Sequence, residues 1–134
     1  MQHNPEWVTD PSARQRLMET YAHWLVTKAP QDQWTFAAIH DAIWHYVDPD
    51  IMIELVIEII SRVASSPAAL SEIGAGPLED LLGGKESVMR RAEEEARSNA
   101  VFRVALSTVY GVRYDEPGYR ELHRLTSVER SNLG

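Results

Sequence analysis

Apolar residues recur along most of the chain at three- and four-residue intervals, which is the period of an α-helix. The pattern predicts helices over residues 11–28, 33–47, 49–65, 67–73, 77–82, 86–98 and 100–110, and a weaker amphipathic helix over 117–129. The chain contains no Asn-Gly or Asp-Gly hairpin turn and no long alternation of apolar and polar residues. The sequence therefore predicts helices and no strand.

Prolines mark the predicted helix starts. Proline fits the first position of a helix because its missing N–H has no partner there, and a preceding Asp or Ser can accept a bond from the next free N–H groups. The prolines in such positions are Pro11, Pro49, Pro67, Pro77 and Pro117. We expect each of them to begin a helix, with Gly76 as the cap before Pro77.

The segment IMIELVIEII, residues 51–60, is apolar around most of a helical circumference. A helix of that kind is a central one, enclosed by its neighbours. We predict an all-α fold, a compact bundle of about six to seven short helices arranged as helical hairpins, because short connections make consecutive helices antiparallel neighbours. A single domain over 1–134 is expected, with frayed ends at 1–8 and 131–134.

Aromatic residues suggest where a partner could bind. The chain has 4 tryptophans and 5 tyrosines but only 2 phenylalanines, and Trp and Tyr suit interfaces because each ring has a polar edge. The predicted inward face of the 33–47 helix comprises Phe36, Ile39, Ile43 and Val47. Trp44 lies off that face, and if it is exposed near Asp41 and Asp48 it forms an acidic aromatic patch. Packing into the core is the alternative use of these rings.

The formal net charge is -7. Residues 1–67 carry four basic and nine acidic side chains and residues 68–134 carry nine and eleven, so the acidity is concentrated in the first half. Nucleic-acid binding needs a basic face and is disfavoured. A basic protein partner is favoured.

Cysteine is absent, which excludes a disulfide framework, a Cys-based zinc site and a catalytic thiol. The first residues, MQHNPEWVTD, show neither the basic nor the apolar region of a signal peptide. The run 51–60 is about half the length needed to cross a bilayer and contains two glutamates. We expect a cytoplasmic protein with no membrane span.

The stretch GAGPLEDLLGG, residues 74–84, places two acids, Glu79 and Asp80, in an apolar segment bracketed by glycines. If Pro77 starts a helix, both lie in its first turn, where the helix dipole stabilises a carboxylate by about 0.3–1 kcal/mol. An acid pair in a groove is the alternative. In a sharper version, Glu79 is partly buried and pairs with Arg103, the one charge in the run AVFRVAL.

No complete catalytic or cofactor motif is present. LLGGKES lacks P-loop spacing, GAGPLE lacks the third glycine of a dinucleotide fingerprint, and no GxSxG elbow occurs. Asp41 and His45 are four residues apart, with Asp48 one turn on, but no second ligand pair matches them. We therefore predict no catalytic residue, no cofactor and no metal.

The segment RRAEEEAR, residues 90–97, has the charge pattern of a solvated helix. The predicted pairs, each four residues apart, are Arg90–Glu94, Arg91–Glu95 and Glu93–Arg97. Glu95 turned inward toward Arg103 is an alternative.

Together, IGAGPLEDLL and EEEARSNAVFRVAL resemble an uncharacterised bacterial helical family. Its members share a Gly-Pro-Leu-Glu-Asp-Leu-Leu signature and a helix that ends before Asn-x-x-Phe-Arg-x-x-Leu, which here are residues 76–82 and 99–106. The resemblance covers roughly the second half of the chain and implies bacterial origin and a helical fold. It implies no activity and no catalytic residue.

Two functions are consistent with these patterns. The first is a small acidic cytoplasmic domain that binds a basic protein, as an immunity protein or antitoxin does. Its candidate binding residues are Glu79, Asp80, Arg103, Trp44, Asp41 and Asp48. The alternative is a small-molecule or metal-using enzyme with a site near Glu79, Asp80 and the histidines of the 33–47 helix, His40 and His45. Self-association through the C-terminal helix, 117–129, is a further option.

Overall fold

The structure, a computed structural model, describes residues 5–82, 84–109 and 124, except for the side chains of His45 and Tyr46. Helix α1 covers Glu6–Thr9, α2 Pro11–Thr27, α3 Trp34–Asp41, α4 Pro49–Arg62, α5 Pro67–Ile73, α6 Glu79–Leu82, α7 Glu86–Ser98 and α8 Ala100–Leu106. A 3₁₀ turn, Pro30–Asp32, precedes α3, and π-helical segments, Ala42–Tyr46 and Gly74–Leu78, follow α3 and α5. Every regular element in these ranges is helical, so the predicted all-α bundle is confirmed.

Side chains cap three helices at the predicted proline starts. The bonds run from Ser12 N–H to Asp10 (2.9 Å), from Asp50 N–H to Asp48 (2.9 Å) and from Ala69 N–H to Ser66 (3.2 Å). Each bond satisfies an N–H group that the first helical turn leaves free. Helices α2, α4 and α5 therefore begin where the sequence predicts, whereas Pro117 lies outside the described residues.

The predicted start at Pro77 is wrong. Pro77 is buried inside the second π-helical segment, which joins α5 to α6 without a break. Proline has no N–H to donate, and the helix passes it in a widened π-helical turn. The N–H of Glu79 bonds to the carbonyl of Gly74. The acids Glu79 and Asp80 therefore do not lie at the free helix start that the sequence predicted.

Helix α4 is the centre of the bundle, as predicted. Its buried side chains are Met52, Ile53, Leu55, Val56, Ile59 and Ile60. It contacts α2, α5, α6, α7 and α8, and both π-helical segments. Enclosure on nearly all sides explains why its sequence is apolar around most of the helix. No described helix has the length and apolarity needed to cross a membrane.

The predicted inward face of the 33–47 helix is confirmed at Ile39 and Val47, which are buried, and Ile43 packs partly buried against the core. Thr35 and Ile39 are fully buried, whereas Phe36 is 42% exposed and contradicts its predicted place in the core. A buried threonine is accepted here because its hydroxyl donates to the carbonyl of Asp32 at 2.7 Å. Burial of Thr35 turns Phe36 outward, since adjacent positions on a helix point about 100° apart.

Candidate interaction surface

Helix α3 and the π-helical segment after it carry three exposed aromatic side chains. The exposed fractions are 57% for Trp34, 42% for Phe36 and 63% for Trp44. Val26 is the other large apolar side chain exposed in the part of the chain that the structure describes. We call Trp34, Phe36 and Trp44 the aromatic surface. Exposed apolar side chains grouped on one element mark interaction sites.

The spacing of residues places the aromatic surface on the outside of the bundle. Trp34, Ala37, Asp41 and Trp44 recur at three- and four-residue intervals, and all four are exposed. The opposite side of the same segment is formed by the buried residues Thr35, Ile39 and Ala42. The other two tryptophans, Trp7 and Trp24, are buried. Both predicted uses of tryptophan, core packing and exposure, therefore occur in this molecule.

Successive ring contacts connect the aromatic surface to the core. The ring centroids of Tyr21 and Trp24 are 6.1 Å apart, those of Trp24 and Phe36 5.5 Å, and those of Phe36 and His40 4.1 Å. Tyr21 and Trp24 belong to the core of α2. Lys28 Nζ lies 3.9 Å from the centroid of the Trp24 ring. The exposed Phe36 ring is thus held by buried rings, which limits its freedom before any partner binds.

Asp80 lies beside the exposed Trp44 ring. The Trp44 side chain, His40 and Glu79 are close enough to Asp80 to act on its charge. Partial burial raises the pKa of Asp80 and the Glu79 carboxylate adds to that rise, while His40 and the Trp44 indole lower it. The fold thus brings together Trp44, Glu79 and Asp80, three of the predicted binding residues.

Among the described residues, the two acids next to the aromatic surface have no ion-pair partner. Neither Asp41 nor Asp80 forms an ion pair with any residue that the structure describes. By contrast, Lys85 Nζ lies 3.2 Å from Asp48 and 2.8 Å from Asp50. Within the described ranges, negative charge is therefore neutralised where α4 meets α7 and is left unpaired beside the aromatic surface.

His40 adds an unused polar atom to the same region. Its Nε2 atom is buried and has no hydrogen-bond partner among the described residues. Buried polar atoms in proteins are nearly always bonded, so an exception asks for an explanation. From the sequence, His40 was a candidate only for the enzyme alternative. A helical spacing of four residues separates Phe36 from His40 and His40 from Trp44. This spacing could have placed His40 beside the aromatic surface.

Both π-helical segments border this region. Trp44 belongs to the first one, Ala42–Tyr46, and Asp80 is the second residue after the other one, Gly74–Leu78. Such widened turns are rare and frequently occur at functional sites. Trp44 and Asp80 therefore each lie in or directly after a local departure from α-helical geometry.

The remaining predicted binding residues have structural contacts of their own. Arg103 Nη1 donates to the carbonyl of Ala96 at 2.7 Å, which ties α8 to the last turns of α7. Asp48 caps α4 and binds Lys85. The pairing of Glu79 with Arg103 stays a prediction. The self-association segment, 117–129, and the side chain of His45 lie outside what the structure describes.

The charged helix α7 bonds to a neighbouring helix, whereas the sequence predicted a solvated helix. The pairs Arg91–Glu95 (3.0 Å) and Glu93–Arg97 (4.0 Å) form, but Arg90 pairs with Glu86 (3.0 Å) instead of Glu94. Arg91 also reaches Glu54 on α4 with two hydrogen bonds of 2.7 and 3.1 Å. Glu95 accepts a hydrogen bond from Asn99 at 2.8 Å. Arg91 thus bonds α7 to the central helix α4.

A groove of about 680 Å³ lies between α2 and α4. Its apolar lining includes Met18 and Leu55, and its charged lining includes Arg14, Glu54 and Arg91. Glu54 and Arg91 are bonded to each other, and the Arg14 guanidinium donates to the carbonyls of Trp7 and Val8. None of the predicted binding residues lines this groove.

The enzyme alternative receives one observation, that His40 lies close enough to Asp80 to lower its pKa. Within residues 5–82 and 84–109, no three His, Asp or Glu side chains converge as ligands for a metal ion. The fold and the surface define a small helical domain with an exposed aromatic face beside carboxylates that form no ion pair in the part of the chain that the structure describes.

Comparison with known proteins identifies the family. A model described as "Family of unknown function (DUF6869)" matches residues 23–127, and the chain belongs to this family. Membership of an uncharacterised family agrees with the resemblance seen in the sequence; the seven-residue signature and the bacterial origin stay predictions. Comparisons with curated proteins and with solved structures found no match.

Proposed function

We propose that this chain is a protein-binding domain whose contact surface consists of Trp34, Phe36 and Trp44 together with Asp41 and Asp80. The observation that carries the proposal is the exposure of three large aromatic rings on α3 and the π-helical segment after it, next to carboxylates without ion-pair partners in the described part of the chain. The proposed partner is a protein that presents a basic face.

The chemistry of the surface supports this partner. Tryptophan is enriched among the few residues that contribute most to binding energy at protein interfaces. A net charge of -7 attracts a basic protein over long distances and raises the association rate. The rings supply apolar contact area, and Asp41 and Asp80 supply charge complementarity at its edge. Each part of the surface thus contributes to binding in a different way.

A more specific form of the proposal is an immunity or antitoxin role in the cytoplasm, in which the acidic surface covers a basic toxin. Support comes from the net charge and from the absence of cysteine, which suits a reducing compartment. In this form, the partner is neutralised by occlusion, and no catalytic group is needed on this chain.

The test is affinity capture from the native cell with three tagged baits: the natural chain, the double variant Trp34→Ser/Trp44→Ser, and the control Val26→Ser. Val26 is 56% exposed, so the control removes an exposed apolar side chain from α2 instead. We expect a basic protein that is recovered with the natural chain and with the control, and at least about tenfold less with the double variant. Circular dichroism checks that all three baits are folded.

Salt dependence provides a second readout on the purified complex. Screening weakens attraction between exposed charges, so the dissociation constant should rise with sodium chloride. The rise should be smaller for Asp41→Asn/Asp80→Asn than for Glu86→Gln/Glu94→Gln, which changes two acids on α7. A partner retained by the tryptophan variant, or binding insensitive to salt, contradicts the proposal.

A further inference from the structure

We propose that the groove between α2 and α4 binds a short peptide with free termini and apolar side chains. The peptide carboxylate binds Arg14, its ammonium group binds Glu58, and its apolar side chains pack on Met18 and Leu55. None of these residues belongs to the aromatic surface, so this site goes beyond the proposed function.

The groove has the size and the apolar floor of a small-ligand site. Its volume of about 680 Å³ lies within the range of about 300–1,000 Å³ that is typical of such sites. Met18 and Leu55 are each 3% exposed and form its floor, with the partly buried Ile51 and Ile57 beside them. Apolar side chains of a ligand would lose contact with water on this floor, which favours binding.

Most of the charge along the groove is already neutralised. Glu54 accepts two hydrogen bonds from Arg91, of 2.7 and 3.1 Å, and Asp50 accepts one of 2.8 Å from Lys85. The charged lining residues that form no ion pair with any described residue are Arg14 and Glu58. One positive and one negative group are therefore left for a ligand.

The Arg14 guanidinium is held in place by one of its two edges. Its Nε donates to the carbonyl of Trp7 at 3.2 Å and its Nη2 to the carbonyl of Val8, at the end of α1. The other edge consists of Nη1 and the second N–H of Nη2, and two parallel N–H groups of this kind match the two oxygens of a carboxylate. Because the guanidinium is already fixed, binding costs less conformational entropy.

Glu58 lacks the neighbour that its position on α4 would usually provide. Arg62 lies four residues further on, a spacing at which acid and base often pair on a helix. Its Nη2 instead donates to the side-chain oxygen of Gln15 at 3.0 Å. Glu58 is exposed, and its carboxylate can accept several N–H bonds from an ammonium group.

The two groups select a ligand that carries both charges some distance apart. Arg14 belongs to α2 and Glu58 to α4, and the axes of packed helices lie about 8–10 Å apart. An extended peptide spans about 3.3–3.6 Å per residue, so a tripeptide covers about 10 Å. A simple anion would be repelled by Glu58 and by the net charge of -7. A tripeptide with free termini therefore fits the charges and the length.

The test is a nuclear magnetic resonance titration that follows the methyl group of Met18, assigned with the Met18→Leu variant. The probes are the tripeptide Leu-Ala-Leu, its N-acetylated form and its C-terminal amide. We expect a saturable shift of the Met18 methyl with the free tripeptide, and binding weaker by about tenfold with each blocked form. Met52 and Met89 are buried and do not line the groove, so their methyl groups should shift little.

Variants show whether each terminus binds the residue proposed for it. Glu58→Gln should weaken binding of the free tripeptide by about tenfold, but should change binding of the acetylated form by less than about twofold, since that form has no ammonium group. Arg14→Gln should behave in the same way toward the C-terminal amide. The control Glu86→Gln removes an acid of α7 that does not line the groove and should leave all affinities unchanged. Circular dichroism checks that each variant is folded.

Three results would each overturn the inference. They are the absence of a saturable Met18 shift at up to about 10 mM tripeptide, equal affinity for the free and blocked forms, and an equal loss of both forms in Glu58→Gln. The double variant Trp34→Ser/Trp44→Ser should bind the tripeptide as the natural chain does. The proposed function and this inference can therefore fail independently of each other.

Discussion

Gly74 is the clearest case in which a single residue is explained by its surroundings. A Cβ atom built on Gly74 would lie 2.0 Å from Thr108 Oγ1 and 2.2 Å from the carbonyl oxygen of Ala105. The second π-helical segment and the end of α8 therefore approach each other too closely for any side chain. A Cβ atom on Gly76, two residues further on, would have nothing within 4 Å.

These two glycines make a matched pair of substitutions. Gly74→Ala should destabilise the protein by about 1–3 kcal/mol or more, because the methyl group overlaps a backbone atom that cannot turn away. Gly76→Ala should be neutral or stabilise by up to about 1 kcal/mol, since it lowers the conformational entropy of the unfolded chain without a clash. Urea unfolding followed by tryptophan fluorescence measures both. Equal effects of the two substitutions would show that the close approach to α8 does not exist.

The free energy of unfolding should depend on pH through Asp80. Its pKa in the folded protein is raised, chiefly by burial, so the ionised form is less favourable in the fold than in the unfolded chain. The resulting loss of stability is present above the folded pKa and disappears as the pH falls through that value. Asp80→Asn should therefore be more stable than the natural protein at pH 7, and the difference should shrink toward about pH 4.

Two features make this measurement specific. Asparagine has nearly the same size and shape as aspartate, so the substitution removes mainly the charge. The control is Asp41→Asn, an exposed acid without an ion pair in the described residues. A stabilisation by Asp80→Asn that is the same at both pH values would contradict the raised pKa.

At the scale of elements, α4 was recognisable because its composition alone sets it apart. Residues that face the core on a peripheral helix form one stripe, whereas here most of the circumference is apolar. Helix starts were recognisable where a capping side chain and a proline stand together. The start at Pro77 failed because its backbone continues from α5, and the sequence pattern cannot distinguish a proline that begins a helix from one carried inside a π-helical turn.

Helix α4 also provides a matched pair of core substitutions. Ile59 is fully buried and Ile57 is partly buried on the same helix. Ile59→Ala should lower the free energy of unfolding by about 2–5 kcal/mol, since it leaves a cavity in an enclosed site. Ile57→Ala should cost less than half as much, because water fills the space it leaves. Chemical denaturation of both variants tests the central position of α4. A larger loss of unfolding free energy for Ile57→Ala than for Ile59→Ala would refute it.

At the scale of the whole molecule, the distribution of charge changes once the helices are packed. The sequence shows that the acids outnumber the bases and that the first half holds most of the excess. The structure shows that Asp48, Asp50 and Glu54 are paired with Lys85 and Arg91 from the second half. Asp41, from the same acidic half, forms no such pair in the part of the chain described. The acidic half is therefore not uniformly available to a partner.

The candidate surface was predictable only in part. Trp44, Asp41 and Asp80 were chosen from the sequence because Trp suits interfaces and because the acids stood out in their segments. Phe36 was assigned to the core from its spacing. The structure buries Thr35 instead, because the Thr35 hydroxyl can donate to the carbonyl of Asp32. Helical periodicity gives a face to within about one residue, which is too coarse to decide which aromatic ring is buried.

The sequence by itself determined the helical class, the central position of α4 and three capped helix starts. These properties depend on residues a few positions apart, and the spacing of apolar and capping residues is visible without coordinates. Only the tertiary structure decided that Trp44 of one π-helical segment meets Asp80 beyond another, and which acids are neutralised. Those contacts join residues more than thirty positions apart, and their geometry is set by how the helices rotate and pack around α4.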